Sequence, residues 1–195
     1  LSVNLHSTQL NHHKRLEAGL ARLSQAAGGR ERIVLEVTED CVIGRGMEHV
    51  PALLEEPAAL GHRISLDDFG TGFASLTHIK ELPIHELKID RKFVVDLTTS
   101  VQDQAIVKAI CDIAQPRRVT VVAEGVETMA QLVKLSELGG MLAQGYFYAK
   151  PMPAGQAAHF IAMRQPMRTV AHALAGQSPP VETEATDEPL RAAAG

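Results

Sequence analysis

Tryptophan is absent from this chain of 195 residues, and the aromatic content is only 4%. So few aromatics leave little of the stacking surface on which single-stranded nucleic acid is held. Charge of one sign is also scarce. The formal net charge is −4 and is spread along the chain, which leaves no basic footprint for duplex nucleic acid or an anionic membrane surface. The two cysteines, Cys41 and Cys111, have no metal-ligand spacing and read as small hydrophobes in a reducing compartment. No apolar run approaches the ~20 residues that span a bilayer, so no membrane contact by this segment is expected. The chain opens Leu1-Ser2-Val3-Asn4, without a starting Met or a basic leader. It therefore reads as part of a longer, cytoplasmic polypeptide.

What is present suits a folded domain: 45% of residues are apolar and 22% charged. Short β-branched runs alternate with amphipathic stretches. Strands are expected at Leu1–Leu5, Ile33–Thr38, Arg63–Leu66, Glu86–Ile89, Val119–Ala123 and Met141–Gln144. Helical periodicity falls between them, at about Gln9–Ala26, Glu48–Leu60, Ala74–Glu81, Gln102–Ala114 and Thr128–Leu138. This alternation predicts an α/β fold with a parallel sheet and crossover helices, about six βα units in all. Residues 1–164 form one domain on this reading. Residues 165–195, rich in Ala, Pro, Thr and Glu, read as a disordered tail or linker.

The strand ends carry the chemistry. Asn4 closes the first, Glu36 lies in the second with Glu39 behind it, and the third runs into Asp67-Asp68. Lys88 and Asp90 bracket the end of the fourth, Glu124 and Glu127 follow the fifth, and Gln144 ends the sixth. Strands of a parallel sheet are covered on both faces and should be almost wholly apolar. Polar groups at the same end of all six point to a rim where they converge, as in a barrel; in an open sheet only the strands at the switch point would share a site. Asn4, Glu36 and Asp67 offer oxygen ligands only, which suits Mg²⁺ or Mn²⁺. Asp68 adjoins Asp67 and could reach a second ion about 3.5–4 Å away. Glu124 could deprotonate an attacking water, and Lys88 could neutralise a phosphate. Taken singly, each residue also has a structural explanation. Asn4 could cap a strand, Glu36 and Glu39 could open an exposed helix, Asp67-Asp68 could be turn chemistry, and Lys88 could pair with Asp90. The nine histidines read as surface or core residues.

At these positions the chain resembles the EAL domain family. Leu35-Glu36-Val37-Thr38-Glu39 is similar to the family's L-E-[IVL]-T-E, and Asp67-Asp68-Phe69-Gly70-Thr71-Gly72 to its D-D-F-G-T-G loop. Leu87-Lys88-Ile89-Asp90 resembles L-K-I-D, and Ala123-Glu124-Gly125-Val126-Glu127-Thr128 resembles A-E-G-V-E-T. Gln144-Gly145-Tyr146 with Lys150-Pro151 resembles the closing Q-G-Y-x-x-x-K-P. Val3-Asn4-Leu5 resembles the family's V-N-[LV]-S, and the matches run in order from Val3 to Pro151. The resemblance implies a TIM-like (β/α)₈ barrel, here incomplete, that hydrolyses cyclic di-GMP to linear pGpG. Asn4, Glu36, Asp67 and Asp68 would be ligands of two Mg²⁺ or Mn²⁺ ions, Glu124 the general base and Lys88 its partner at the water or phosphate. Glu39, Asp90, Glu127 and Gln144 would shape the site, and Glu39 with the loop after Asp68 would serve a homodimer contact. Three departures stand out. The E-A-L tripeptide, which carries a metal-binding Glu in the family, does not occur in these residues. His6 stands where Ser is usual, and Arg117-Arg118 replaces a Leu-Gly. The first departure supports an alternative, a non-catalytic module that binds the dinucleotide or a protein partner.

Overall fold

The computed structural model describes residues 1–10, 12–43, 50–70 and 82–163. Six strands run parallel in one sheet: β1 (Ser2–Asn4), β2 (Val34–Thr38), β3 (Arg63–Phe69), β4 (Glu86–Ile89), β5 (Thr120–Ala123) and β6 (Leu142–Ala143). Each strand pairs with its neighbour in sequence, in the order β1-β2-β3-β4-β5-β6. A doubly wound sheet reverses its strand order at the switch point. Among the described strands there is no reversal, so right-handed crossovers all step the same way and set their helices on one face. That is the wall of a barrel, and the open-sheet alternative falls away.

The helices are α1 (Ser7–Leu10), α2 (His13–Ala27), α3 (Glu39–Ile43), α4 (Val50–Ala59), α5 (Lys92–Val95), α6 (Val101–Ala114), α7 (Met129–Leu138) and α8 (Ala154–Met163). Local chemistry sets their ends. Ser100 accepts the Asp103 N–H at the start of α6, and Thr128 with Gln131 forms a capping box at the start of α7. Gly28 ends α2 in the left-handed region at φ 79°. At the same kind of corner before β5, Arg118 takes φ 57°, a conformation that Gly adopts without strain.

Leu35, Val37, Ile64, Leu66, Leu87 and Ile89 alternate along β2, β3 and β4 and are buried against the helices. Val107 and Ile110 of α6 join this core, and Leu132 and Leu135 of α7 do the same. The intervening strand residues, Glu36, Ser65, Asp67 and Lys88, face the other way, and they carry the site.

The expected elements are present with shifted ends. The run expected at Gln9–Ala26 is two helices, α1 and α2. β3 extends three residues past Leu66 through both aspartates. Helix α3, the single-turn α5 and the late helix α8 were not read from periodicity, the first two because they are too short to express it. The helix expected at Ala74–Glu81 and the tail expected at residues 165–195 lie outside the described residues. Among the described residues no helix is long and apolar enough to cross a membrane.

Candidate active site

The site begins with an irregularity in β3. Leu66 pairs with Leu87 and Phe69 with Ile89, so three steps along β3 oppose two along β4. The extra residue is a bulge, and Asp68 within it takes φ 55°. In a regular strand Asp67 and Asp68 would point to opposite faces. Here their carboxylates turn toward one place: oxygen atoms of Asp67, Asp68 and Glu124 all lie within 4.8 Å of one another.

Lys88 stands at the centre. Its Nζ lies 2.7 Å from Glu124 Oε1, 3.1 Å from Asp67 Oδ2 and 3.3 Å from Glu36 Oε1, with only 7% of the side chain exposed. Four consecutive strands, β2 to β5, thus deliver one charged group each. Burial opposes the ammonium, yet the Glu124 hydrogen bond and the charges of Glu124 and Asp67 outweigh it and push the Lys88 pKa up. Burial raises the Glu124 pKa, opposed by Lys88 and aided by Asp67 and Asp68. Asp68 is raised as well, first by burial, then by the charges of Asp67 and Asp90 and a side-chain hydrogen bond with Asp90.

Four carboxylates (Glu36, Asp67, Asp68 and Glu124) around one ammonium leave three formal negative charges in excess. All their donors are hard oxygens. This set fits a divalent cation of the Mg²⁺ or Mn²⁺ type.

The remaining expected residues surround this group at different distances. Asp90 meets Asp68, and its Oδ1 accepts the Lys92 N–H at 2.7 Å; Lys88 bonds to Glu36, Asp67 and Glu124 rather than to Asp90. Glu39 is 1% exposed, and its Oε2 accepts the Gly70 N–H at 2.9 Å. Glu127 pairs with Arg91 at 2.6 Å on the rim. Asn4 sits in register beside Glu36, and its side chain is exposed and outside the Lys88 ion pairs. Gln144 is exposed too; its backbone N–H donates to Ala123 O, and its carbonyl accepts from the Val126 N–H. Sequence reasoning missed Arg91 and Lys92, whose only signal was their place directly after Leu87-Lys88-Ile89-Asp90.

Fold and site together define a parallel α/β barrel domain with an acidic mouth. The chain belongs to the EAL domain family, whose match covers residues 1–151. It is 38% identical over 161 residues to the cyclic di-GMP phosphodiesterase NbdA of Pseudomonas aeruginosa, covering 83% of this chain and 20% of NbdA. The solved PaMucR phosphodiesterase in complex with c-di-GMP gives a TM-score of 0.72 at 39% identity, covering 80% of this chain and 63% of that one. BlrP1 of Klebsiella pneumoniae, solved with manganese and cyclic di-GMP, gives 0.71 at 32% identity, covering 77% of this chain and 38% of that one. The chain spans 20% of the length of NbdA and 39% of that of the cyclic di-GMP phosphodiesterase RocR of the same organism as NbdA.

Proposed function

We propose that this chain is the catalytic domain of a cyclic di-GMP phosphodiesterase that uses Mg²⁺ or Mn²⁺ and releases linear pGpG. The observation that carries this reading is the junction of Glu36, Asp67 and Glu124 on Lys88, with Asp68 beside them. NbdA carries the same activity in its name, and PaMucR and BlrP1 were solved with the dinucleotide. Asp67 and Asp68, with Glu36 and Asn4, would hold two divalent ions, which when bound lower the pKa of water and offset phosphate charge.

The chain's own groups then act as follows. Glu124 accepts a proton from the attacking water; its raised pKa brings it nearer to the working pH of a base. Lys88 orients the Glu124 carboxylate and offsets charge on the phosphoryl oxygens. Water adds to phosphorus, the bond to the 3′ oxygen breaks, that oxygen takes up a proton to leave as the free 3′ hydroxyl, and the product keeps its 5′ phosphate. Glu39, bound to Gly70, holds the start of the loop to which a homodimer contact is assigned in this reading, and residues 1–164 form the working domain.

The deciding experiment incubates the polypeptide, as its gene encodes it, with cyclic di-GMP and Mn²⁺ and resolves the products by chromatography. Release of pGpG that stops with EDTA supports the reading. Tight binding of the dinucleotide without pGpG would establish the alternative, a binding module.

A further inference from the structure

The turn after β4 touches both loops that carry the site. Asp90 bonds to Asp68. Next, the stem of Arg91 lies over Gly125, where an added Cβ would come within 2.2 Å of Arg91 Cγ, and its guanidinium reaches Glu127 at 2.6 Å. Lys92 Nζ donates to Gly70 O at 3.1 Å, and the Phe93 ring fills the place of a Gly70 Cβ, which would meet Cε2 at 2.8 Å. From inside, the buried Gln131 closes the same arrangement. Its Oε1 accepts the Glu127 and Thr128 N–H groups at 2.8 and 2.9 Å, while its Nε2 donates to Val94 O at 3.0 Å. Glycines at 70 and 125, with φ 91° and 69°, let the segment approach this closely.

We propose that Arg91 and Lys92 are positioning residues: together they strap the turn that carries Glu124 and the turn that follows Asp67-Asp68 to one short segment, fixing the spacing of the two halves of the site. Their hydrogen bonds go to Glu127 and to Gly70 O. Arg91 and Glu127 are 60% and 43% exposed, and ion pairs so open to solvent contribute little to stability. The consequence of the strap is geometric: catalytic groups displaced by a fraction of an ångström lose rate.

This inference rests on the phosphodiesterase reading, and its test separates the two. Arg91→Ala, Arg91→Lys and Lys92→Ala are compared with the parent for Tm, for Mn²⁺ affinity by calorimetry and for kcat and KM on cyclic di-GMP. Arg91→Ala should lower kcat about tenfold, the effect expected of an outer support, with KM and Tm nearly unchanged; Arg91→Lys, which keeps the stem over Gly125, should recover part of it. Lys92→Ala should weaken Mn²⁺ binding by a similar factor. If both alanine variants keep kcat, KM and Mn²⁺ affinity within twofold of the parent, or lose them only in step with Tm, the strap is structural and the inference fails. An inactive parent would sink the phosphodiesterase reading alone, because the effect of Lys92→Ala on Mn²⁺ affinity still decides the strap.

Discussion

Lys88 and Glu124 face each other across the β4–β5 pair at 2.7 Å, and the same ammonium also holds Asp67 and Glu36. The lysine acts as the internal counter-cation of the acidic mouth.

Lys88→Met should therefore unmask repulsion among the carboxylates. Breaking a buried charge cluster by removing one partner costs about 3 kcal/mol or more, read as a lower denaturation midpoint in EDTA. Mn²⁺ should then raise the Tm of the variant by more than it raises that of the parent. Equal melting curves in EDTA would show that the carboxylates do not depend on Lys88.

Glu124→Gln preserves shape and removes the proton acceptor. The turnover rate should fall by roughly 10²–10⁴, with KM little changed, in steady-state assays of pGpG release. A rate near the parent's would take Glu124 out of the chemistry.

His62 sets a pH dependence remote from the site. It precedes β3, is 2% exposed, and its Nδ1 has no hydrogen-bond partner among the described residues. Burial, then the Arg30 charge, lower its pKa, while a hydrogen bond to the Arg30 backbone opposes them. Below the ordinary value of about 6.5 the unfolded chain takes up a proton that the folded chain resists. This group's contribution is therefore complete above that pH and is lost as the pH falls toward the depressed native value. His62→Leu should flatten the slope of Tm against pH in that window; an unaltered slope would assign it to other groups.

Two corners test the backbone in opposite directions. Gly70→Ala forces a side chain into a left-handed residue and against Phe93, and should destabilise the fold by about 1–2 kcal/mol from the backbone alone. Arg118→Gly relieves the same strain at φ 57° and should stabilise it by up to about 1 kcal/mol. Chemical denaturation of both variants checks the two signs.

Much of this was legible in the sequence because the strands are short and uniform. β4 occupies the span its pattern predicts, Glu86–Ile89. The convergence of Glu36, Asp67, Lys88 and Glu124 followed from polar residues at the ends of strands that should be apolar. The end of β3 did not follow. Two aspartates in succession break the two-residue alternation that marks a strand, and only a bulge reconciles them with continued pairing to β4. Nor did the roles of Arg91, Lys92 and Gln131 follow. They depend on chain segments that approach one another where Gly70 and Gly125 lack a Cβ, and a one-dimensional pattern carries no sign of that.

The extra residue in β3 also makes that strand intolerant of any change in length. Deleting Asp68 would leave an unbroken pleat with Phe69 still opposite Ile89, yet it would do more than remove one carboxylate: the bulge that re-aims the end of β3 would be lost with it, whereas an added residue would invert every later side chain. In-frame indels between Leu66 and Gly70 should therefore be selected against more strongly than any single replacement at Asp68.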